Sequence, residues 1–130
     1  MELIAIVTML ALAQYFYFGG KVGAGRGKYG VSAPATTGHE IFERLYRVHY
    51  HTLEQLMSFI PALWVFGFYV SEIYGAAIGL VYLVGRALFS VGYVKEPKSR
   101  AVGAIMSGVP CLVLIVGGFI GAVMSYLAKL

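Results

Sequence analysis

Four long apolar segments dominate the sequence and constrain what it can fold into. They cover about residues 3–23, 55–71, 73–94 and 101–128. A helix needs about 20 apolar residues to cross the hydrocarbon core of a bilayer, and the four segments are close to that length. Strand-like alternation is absent, and the segments are too long for the strands of a membrane barrel. We therefore predict an all-α integral membrane protein, a four-transmembrane-helix bundle forming a single domain over residues 1–130.

The composition supports this prediction. The chain is 59% hydrophobic and only 12% charged, whereas soluble domains average about 25% charged residues. A soluble domain of this length could not bury so much apolar surface. The first segment follows Glu2 rather than a basic stretch and precedes three more spans, so we expect a retained helix rather than a signal peptide. The single Cys111 excludes a disulfide framework and multi-cysteine metal sites, and no metal is predicted.

The basic residues are concentrated at one side of the predicted bundle. Of ten lysines and arginines, nine lie around the first and third connections: Lys21, Arg26, Lys28, Arg44, Arg47, Arg86, Lys95, Lys98 and Arg100. The first connection is predicted as a flexible, glycine-rich loop over about 24–39. By the positive-inside rule both basic connections face the cytoplasm, and both termini lie on the far side. No basic stripe lies on a soluble face, so nucleic acid is not predicted as a partner.

The start of the second helix is densely polar. A helix over 41–70 would be about 45 Å long, so its first turns should project into the headgroups. Four polar side chains share one helical face: Arg44, Arg47, His51 and Glu54. A carboxylate at the depth of Glu54 is costly unless it is paired, and Arg86 on the third helix is the candidate partner.

The third helix adds aromatic residues at the same depth. Tyr82, Arg86, Phe89 and Tyr93 run down one face, and Arg100 begins the fourth helix. This convergence predicts a site for an anionic ligand in the cytoplasmic leaflet. Simpler interpretations stay open: a structural Glu54–Arg86 pair, Tyr93 as an interfacial anchor, and histidines at headgroup level. Arg44 and Lys95 fit topology determinants in contact with lipid phosphates.

Several motifs, in order along nearly the whole chain, carry a family resemblance. They are Val31-Ser32-Ala33-Pro34, Thr36-Thr37-Gly38, Phe42-Glu43-Arg44-Leu45-Tyr46-Arg47-Val48-His49, Leu53-Glu54, Leu63-Trp64-Val65, Gly79-Leu80-Val81-Tyr82-Leu83, Arg86 and Gly92-Tyr93. The sequence resembles the MAPEG superfamily, the membrane-associated proteins in eicosanoid and glutathione metabolism. It is most similar to the leukotriene C4 synthase and microsomal glutathione transferase 2 branch, and its compact length suggests a bacterial member.

The resemblance implies a homotrimer of four-helix subunits. Glutathione, as co-substrate, would bind between neighbouring subunits at the cytoplasmic side. Carried over by position, the glutathione-binding residues are Arg26, Arg47, His51, Glu54, Arg86 and Tyr93, and Arg100 matches the residue that stabilises the thiolate. The chain departs from the family pattern at five positions: His51 for asparagine, His49 for glutamine, Gln55 and Phe89 for tyrosines, and Gly27 for an arginine. A leukotriene role is therefore not implied.

The implied activity is that of a membrane-bound glutathione transferase and peroxidase. Glutathione carries two carboxylates and one ammonium, which complement several arginines and a glutamate. A guanidinium beside the sulfur favours the nucleophilic thiolate. A lipophilic electrophile or lipid hydroperoxide would enter from the bilayer. The expected location is a bacterial inner membrane, with the site facing the cytoplasm.

Two alternatives belong to other functional classes. The superfamily includes a lipoxygenase-activating member, so a non-catalytic lipid-binding scaffold is the second hypothesis. A small multidrug transporter would also have four helices and this size. Such a transporter needs a carboxylate in the middle of its first span, where this chain has only the terminal Glu2, so this hypothesis ranks last.

Overall fold

The computed structural model describes residues 1–130, except for the side chain of Ser99. It consists of four α-helices: α1 (Glu2–Tyr29), α2 (Glu40–Tyr69), α3 (Glu72–Lys95) and α4 (Ala101–Ala128). A short 3-10 helix, Pro97–Arg100, precedes α4. The prediction of an all-α protein is confirmed, and the described backbone contains no strand.

Three of the helices, α1, α3 and α4, are long and apolar enough to cross a membrane. The remaining helix, α2, has 30 residues but carries Glu40, Glu43, Arg44 and Arg47 in its first turns. The three apolar helices support an integral membrane protein, while a membrane crossing by α2 stays a prediction.

The first helix extends further than the sequence suggested. Instead of ending near residue 23, α1 continues to Tyr29 and ends where Gly30 adopts a left-handed conformation with φ 71°. The first connection is therefore 30–39, and Arg26 lies on the last turn of α1 rather than on a loop. The glycines in this segment disfavour a helix by about 1 kcal/mol each. Packing compensates, because Gly25 is buried against Phe42 and Leu45 of α2.

Side-chain caps fix the starts of α2 and α3. The Nδ1 atom of His39 accepts a hydrogen bond from the backbone N–H of Ile41 at 3.2 Å. Ser71 Oγ accepts one from the N–H of Tyr74 at 3.2 Å. These bonds satisfy N–H groups that have no partner within a helix. The His39 cap also determines where the first connection ends and the polar start of α2 begins.

Three clusters of buried side chains hold the helices together. The largest includes Ile4, Phe59, Leu63, Tyr82 and Leu114. The second contains Phe18, Val48, Phe89 and Tyr93 and lies beside the candidate site, and the third consists of Val22, Val31 and Phe42. The outward faces are apolar as well: Phe16 is 82% exposed and Met57 76%, as expected for surfaces that contact lipid or another subunit.

Glycines bring the helices close together. Two of them pack against side chains of neighbouring helices: a Cβ at Gly79 would lie 2.6 Å from Val7, and one at Gly117 would lie 2.6 Å from Phe66.

The closest approach, between α3 and α4, was not anticipated from the sequence. A Cβ at Gly103 would lie 2.2 Å from the backbone nitrogen of Phe89, and one at Gly85 would lie 2.5 Å from the backbone of Met106. These two glycines therefore set the spacing of the helices that carry Phe89, Tyr93 and Arg100.

Candidate functional site

A cavity of about 620 Å³ opens at the end of the bundle where α2, α3 and the start of α4 meet the first connection. Its volume lies within the range of about 300–1,000 Å³ that is usual for small-molecule sites. The lining residues are Thr36, Thr37, Glu43, Tyr46, Arg47, Tyr50, His51, Glu54, Phe89, Tyr93, Arg100 and Ala104. The cavity thus combines charged, aromatic and hydroxyl groups.

Five of the seven site residues predicted from the sequence line this cavity. Arg47, His51 and Glu54 follow one another at i, i+4 and i+7 on α2, so they share a face. Tyr93 is buried at the end of α3, where its ring stacks on Phe89 with centroids 5.4 Å apart. Arg100 reaches the cavity from the 3-10 helix before α4.

Arg86 lies behind the cavity rather than in its lining. The side chain is fully buried. Its Nη2 donates to Thr52 Oγ1 at 2.7 Å, and its Nη1 lies 3.3 Å from Gln55 Oε1 and 3.2 Å from His51 Nδ1. The guanidinium carbon also lies 4.5 Å from the centre of the Phe89 ring. Neutral side chains, not a carboxylate, therefore surround this charge.

The predicted pair between Arg86 and Glu54 is wrong. Glu54 is exposed at the cavity, whereas Thr52 and Gln55 occupy the side of α2 that meets Arg86. The reason is helical geometry: at about 100° per residue, position 54 lies about 200° around the helix from position 52. Equal depth in the membrane did not mean a shared interface.

Arg26 also lies outside the cavity lining. Its Nη1 donates to the carbonyl of Ala35 at 2.7 Å, and its guanidinium lies over the ring of Phe42, 5.0 Å from the centre. Within one chain, Arg26 therefore ties the first connection to the end of α1. The family resemblance assigned Arg26 to glutathione binding, and that role stays a prediction.

Arg44 also lies away from the cavity, unlike the residues with which it was predicted to share a helical face. Although it was expected on the same face as Arg47, its Nη1 donates to the carbonyl of Val94 at 3.2 Å and its Nη2 pairs with Glu40. Arg44 thus joins α2 to the end of α3. Among the described residues, it is not part of the cavity lining.

Sequence analysis missed several lining residues. Glu43, Tyr46 and Tyr50 lie on the side of α2 that also carries Glu54. The four residues are spaced i, i+3, i+7 and i+11, so following this second row of α2 back from Glu54 would have found the other three. Thr36 and Thr37 were noted only as part of a motif, since a loop has no periodicity from which to place its side chains.

The remaining departures from the family pattern have distinct surroundings. Gln55 and Phe89 contact Arg86, whereas the ring of His49 stacks on Tyr15 of α1 with centroids 4.5 Å apart. His49 therefore contributes to helix packing rather than to the cavity.

The lining can bind a ligand that carries both signs of charge. Arg47 and Arg100 supply guanidinium donors, and Glu43 and Glu54 supply carboxylate acceptors. Guanidinium groups bind carboxylates with paired, charge-assisted hydrogen bonds. No group of three or more His, Cys, Asp or Glu side chains that could hold a metal ion lies together among the described residues.

Comparison with known proteins places these features in a family. A model of the MAPEG family matches residues 4–120. An uncharacterized protein of Synechocystis sp. is 43% identical over 116 residues, which cover 89% of this chain and 85% of that protein. Human microsomal glutathione S-transferase 2 is 37% identical over 126 residues, or 96% of this chain and 85% of that one. Bovine leukotriene C4 synthase is 38% identical over 98 residues, which cover 75% and 65% of the two chains. The resemblance inferred from the motifs is confirmed, and the chain belongs to the MAPEG family.

Proposed function

We propose that this protein is a membrane-bound glutathione transferase that also reduces lipid hydroperoxides. One observation carries the proposal: Arg47, His51, Glu54, Tyr93 and Arg100 line a single cavity. The chain that holds them is 37% identical to a microsomal glutathione S-transferase over 96% of its length. The family and its relatives support a glutathione-related membrane enzyme, and the arrangement of the cavity supports this specific reaction.

The cavity fits the charges of glutathione. This tripeptide has two carboxylates and one ammonium, while the lining offers two guanidinium groups and two carboxylates. We assign a glutathione carboxylate to Arg47 and the ammonium to Glu54, because the attraction between opposite charges is strongest where they also form hydrogen bonds. Tyr93 adds a phenol that can bond to the peptide. No metal is required by this chemistry.

Arg100 is the residue that we assign to thiol activation. A thiol with an ordinary pKa of about 8.5 is mostly protonated at neutral pH. The Arg100 guanidinium, together with the partial positive charge at the start of α4, favours the thiolate. The thiolate sulfur then attacks the electrophilic carbon and forms a thioether, while the bond from that carbon to its leaving group breaks and the group departs as an anion, such as chloride. With a hydroperoxide, it attacks the terminal oxygen and releases an alcohol, and a second glutathione converts the resulting sulfenic acid to the disulfide and water.

The second substrate would arrive from the membrane. Next to the cavity, the outer faces of α3 and α4 expose Leu88, Val91, Val102 and Ile105, and Ala104 and Phe89 continue this apolar surface into the lining. We propose that a neighbouring subunit of a homotrimer completes the cavity. The basic connections support a site that faces the cytoplasm, and we propose a bacterial inner membrane as its location.

The test begins with calorimetric titration of glutathione into the detergent-solubilised protein. Thiolate absorbance in the ultraviolet and conjugation of a chlorodinitrobenzene substrate are then compared between wild type and Arg100→Ala. We expect the variant to lose the thiolate signal and to conjugate about 100-fold more slowly, as for the loss of one stabilising donor.

The matched control is Lys98→Ala, which removes an exposed cation from the same 3-10 helix without altering the cavity lining. It should behave like wild type. An Arg100→Ala variant with full thiolate absorbance and rate would contradict the assignment. A protein that binds lipid in the cavity but no glutathione would instead favour the non-catalytic scaffold.

A further inference from the structure

The contact between Arg86 and His51 restricts the chemistry of the histidine. Arg86 Nη1 lies 3.2 Å from His51 Nδ1. An arginine guanidinium keeps its proton in proteins and has only hydrogen-bond donors. Arg86 must therefore donate in this contact, and His51 Nδ1 must accept with its lone pair.

The guanidinium is held so that this donor cannot turn away. Its Nη2 donates to Thr52 Oγ1 at 2.7 Å, and its plane packs over Phe89 at 4.5 Å. The side chain of Arg86 is fully buried, and Nη1 also donates to the side-chain amide oxygen Oε1 of Gln55 at 3.3 Å. The position of the donor facing His51 is thus fixed from three sides.

A neutral imidazole carries one proton on one of its two nitrogens. If Nδ1 accepts from Arg86, the proton of His51 must be on Nε2. His51 is half-buried and lines the cavity, and its ring also contacts Phe89 with centroids 5.5 Å apart. With Nδ1 turned to the bundle interior, Nε2–H is the polar group that the ring offers to a ligand.

We propose that Arg86 is a positioning residue that holds His51 as the Nε2–H tautomer. His51 then donates a hydrogen bond to an acceptor on the bound thiol substrate, a carboxylate or a peptide carbonyl. The identity of that substrate rests on the proposed function. Arg86 itself acts through His51 and does not contact the ligand.

An asparagine side chain offers the same pair of hydrogen-bonding groups as the Nε2–H tautomer of His51, one acceptor and one donor. An asparagine at position 51 can accept from Arg86 through its Oδ1 and donate to the cavity through its amide. An aspartate has nearly the same shape but can only accept. His51→Asn and His51→Asp therefore separate the donor from the size of the side chain.

The tautomer is measured directly on ligand-free protein. Histidine labelled with nitrogen-15 is incorporated, and two-bond nitrogen–proton correlation spectra are recorded in detergent micelles at pH 7.5. The His51 signals are identified by their loss in His51→Asn. We expect Nδ1 to resonate as an unprotonated nitrogen and Nε2 as a protonated one. A ring protonated on Nδ1, or an even mixture of tautomers, would overturn the proposal.

Two further comparisons extend the test. Arg86→Met should turn His51 into a mixture of tautomers, and an unchanged single tautomer in that variant would exclude the positioning role. If Arg86→Met does not fold, the wild-type spectrum and the position 51 variants decide. In calorimetric titrations with glutathione, His51→Asn should bind within about threefold of wild type, and His51→Asp about tenfold or more weakly.

The outcomes separate this inference from the proposed function. Equal affinity of the asparagine and aspartate variants would refute the donor role of His51. Failure of the wild-type protein to bind glutathione would refute the proposed function, whereas the tautomer is established without any ligand.

Discussion

Replacing Gly103 by alanine tests whether the close contact of α3 and α4 supports the fold. The new Cβ would lie 2.2 Å from the nitrogen and 2.4 Å from the Cα of Phe89. Because these are backbone atoms, no side-chain rotation can relieve the overlap, and one helix must move. Overpacking costs about 1–3 kcal/mol, and the upper end applies here. Alanine returns about 1 kcal/mol through its better helix propensity, which leaves a net loss of about 2 kcal/mol.

Gly108→Ala is the matched control on the same helix. A Cβ at Gly108 would meet nothing within 4 Å, so this change should stabilise the protein by up to about 1 kcal/mol. The two variants should thus differ by about 3 kcal/mol in the free energy of unfolding.

The assay is thermal or denaturant unfolding of the purified protein in one detergent, followed by circular dichroism. A glutathione titration of each folded variant accompanies it. Gly103→Ala should also weaken ligand binding, since Phe89 and Ala104, which adjoin the contact, line the cavity. If Gly103→Ala proves as stable as Gly108→Ala, the inferred contact between the two backbones is refuted.

Three other outcomes follow from the contacts of single side chains. Arg47→Ala should weaken glutathione binding about tenfold or more in calorimetry, because it removes a charged donor from the cavity, while Arg44→Ala should change it less than threefold; equal effects would contradict the assigned lining. Trp64→Phe should lower the free energy of unfolding by about 1 kcal/mol, since the indole N–H donates to Thr8 Oγ1 at 2.9 Å; unchanged thermal unfolding would argue against that bond. Arg26→Ala should speed backbone hydrogen exchange over 30–39 without affecting exchange in α3, and uniform exchange would show that Arg26 does not hold the connection.

The fold could be predicted from the sequence because the length of the apolar segments and their helical periodicity do not depend on how the helices pack. The four helices lie close to the predicted segments. The end of α1 was misplaced because glycine propensity alone predicted a loop. Packing of Gly25 against α2 outweighs that propensity, and such packing cannot be seen before the helices are assembled.

The candidate site was predictable where one helix carries several of its residues. Regular spacing along α2 identified Arg47, His51 and Glu54 together. Contacts between helices were harder to predict, because depth in the membrane does not determine rotation about the helix axis. For that reason the sequence predicted a contact of Arg86 with Glu54 rather than with Thr52. The backbone contact at Gly103 likewise had no periodic signal in the sequence.

The neutral surroundings of Arg86 have an electrostatic consequence. Thr52, Gln55 and His51 accept hydrogen bonds from its two Nη atoms without neutralising its charge, and its buried Nε has no hydrogen-bond partner among the described residues. The positive potential of the guanidinium therefore extends beyond its contacts and into the adjoining cavity. At an effective dielectric constant of 20, a unit charge about 10 Å away contributes about 1.7 kcal/mol. An anion entering the cavity would be attracted by a charge it never touches, and added salt would weaken that attraction only partly because the source is buried.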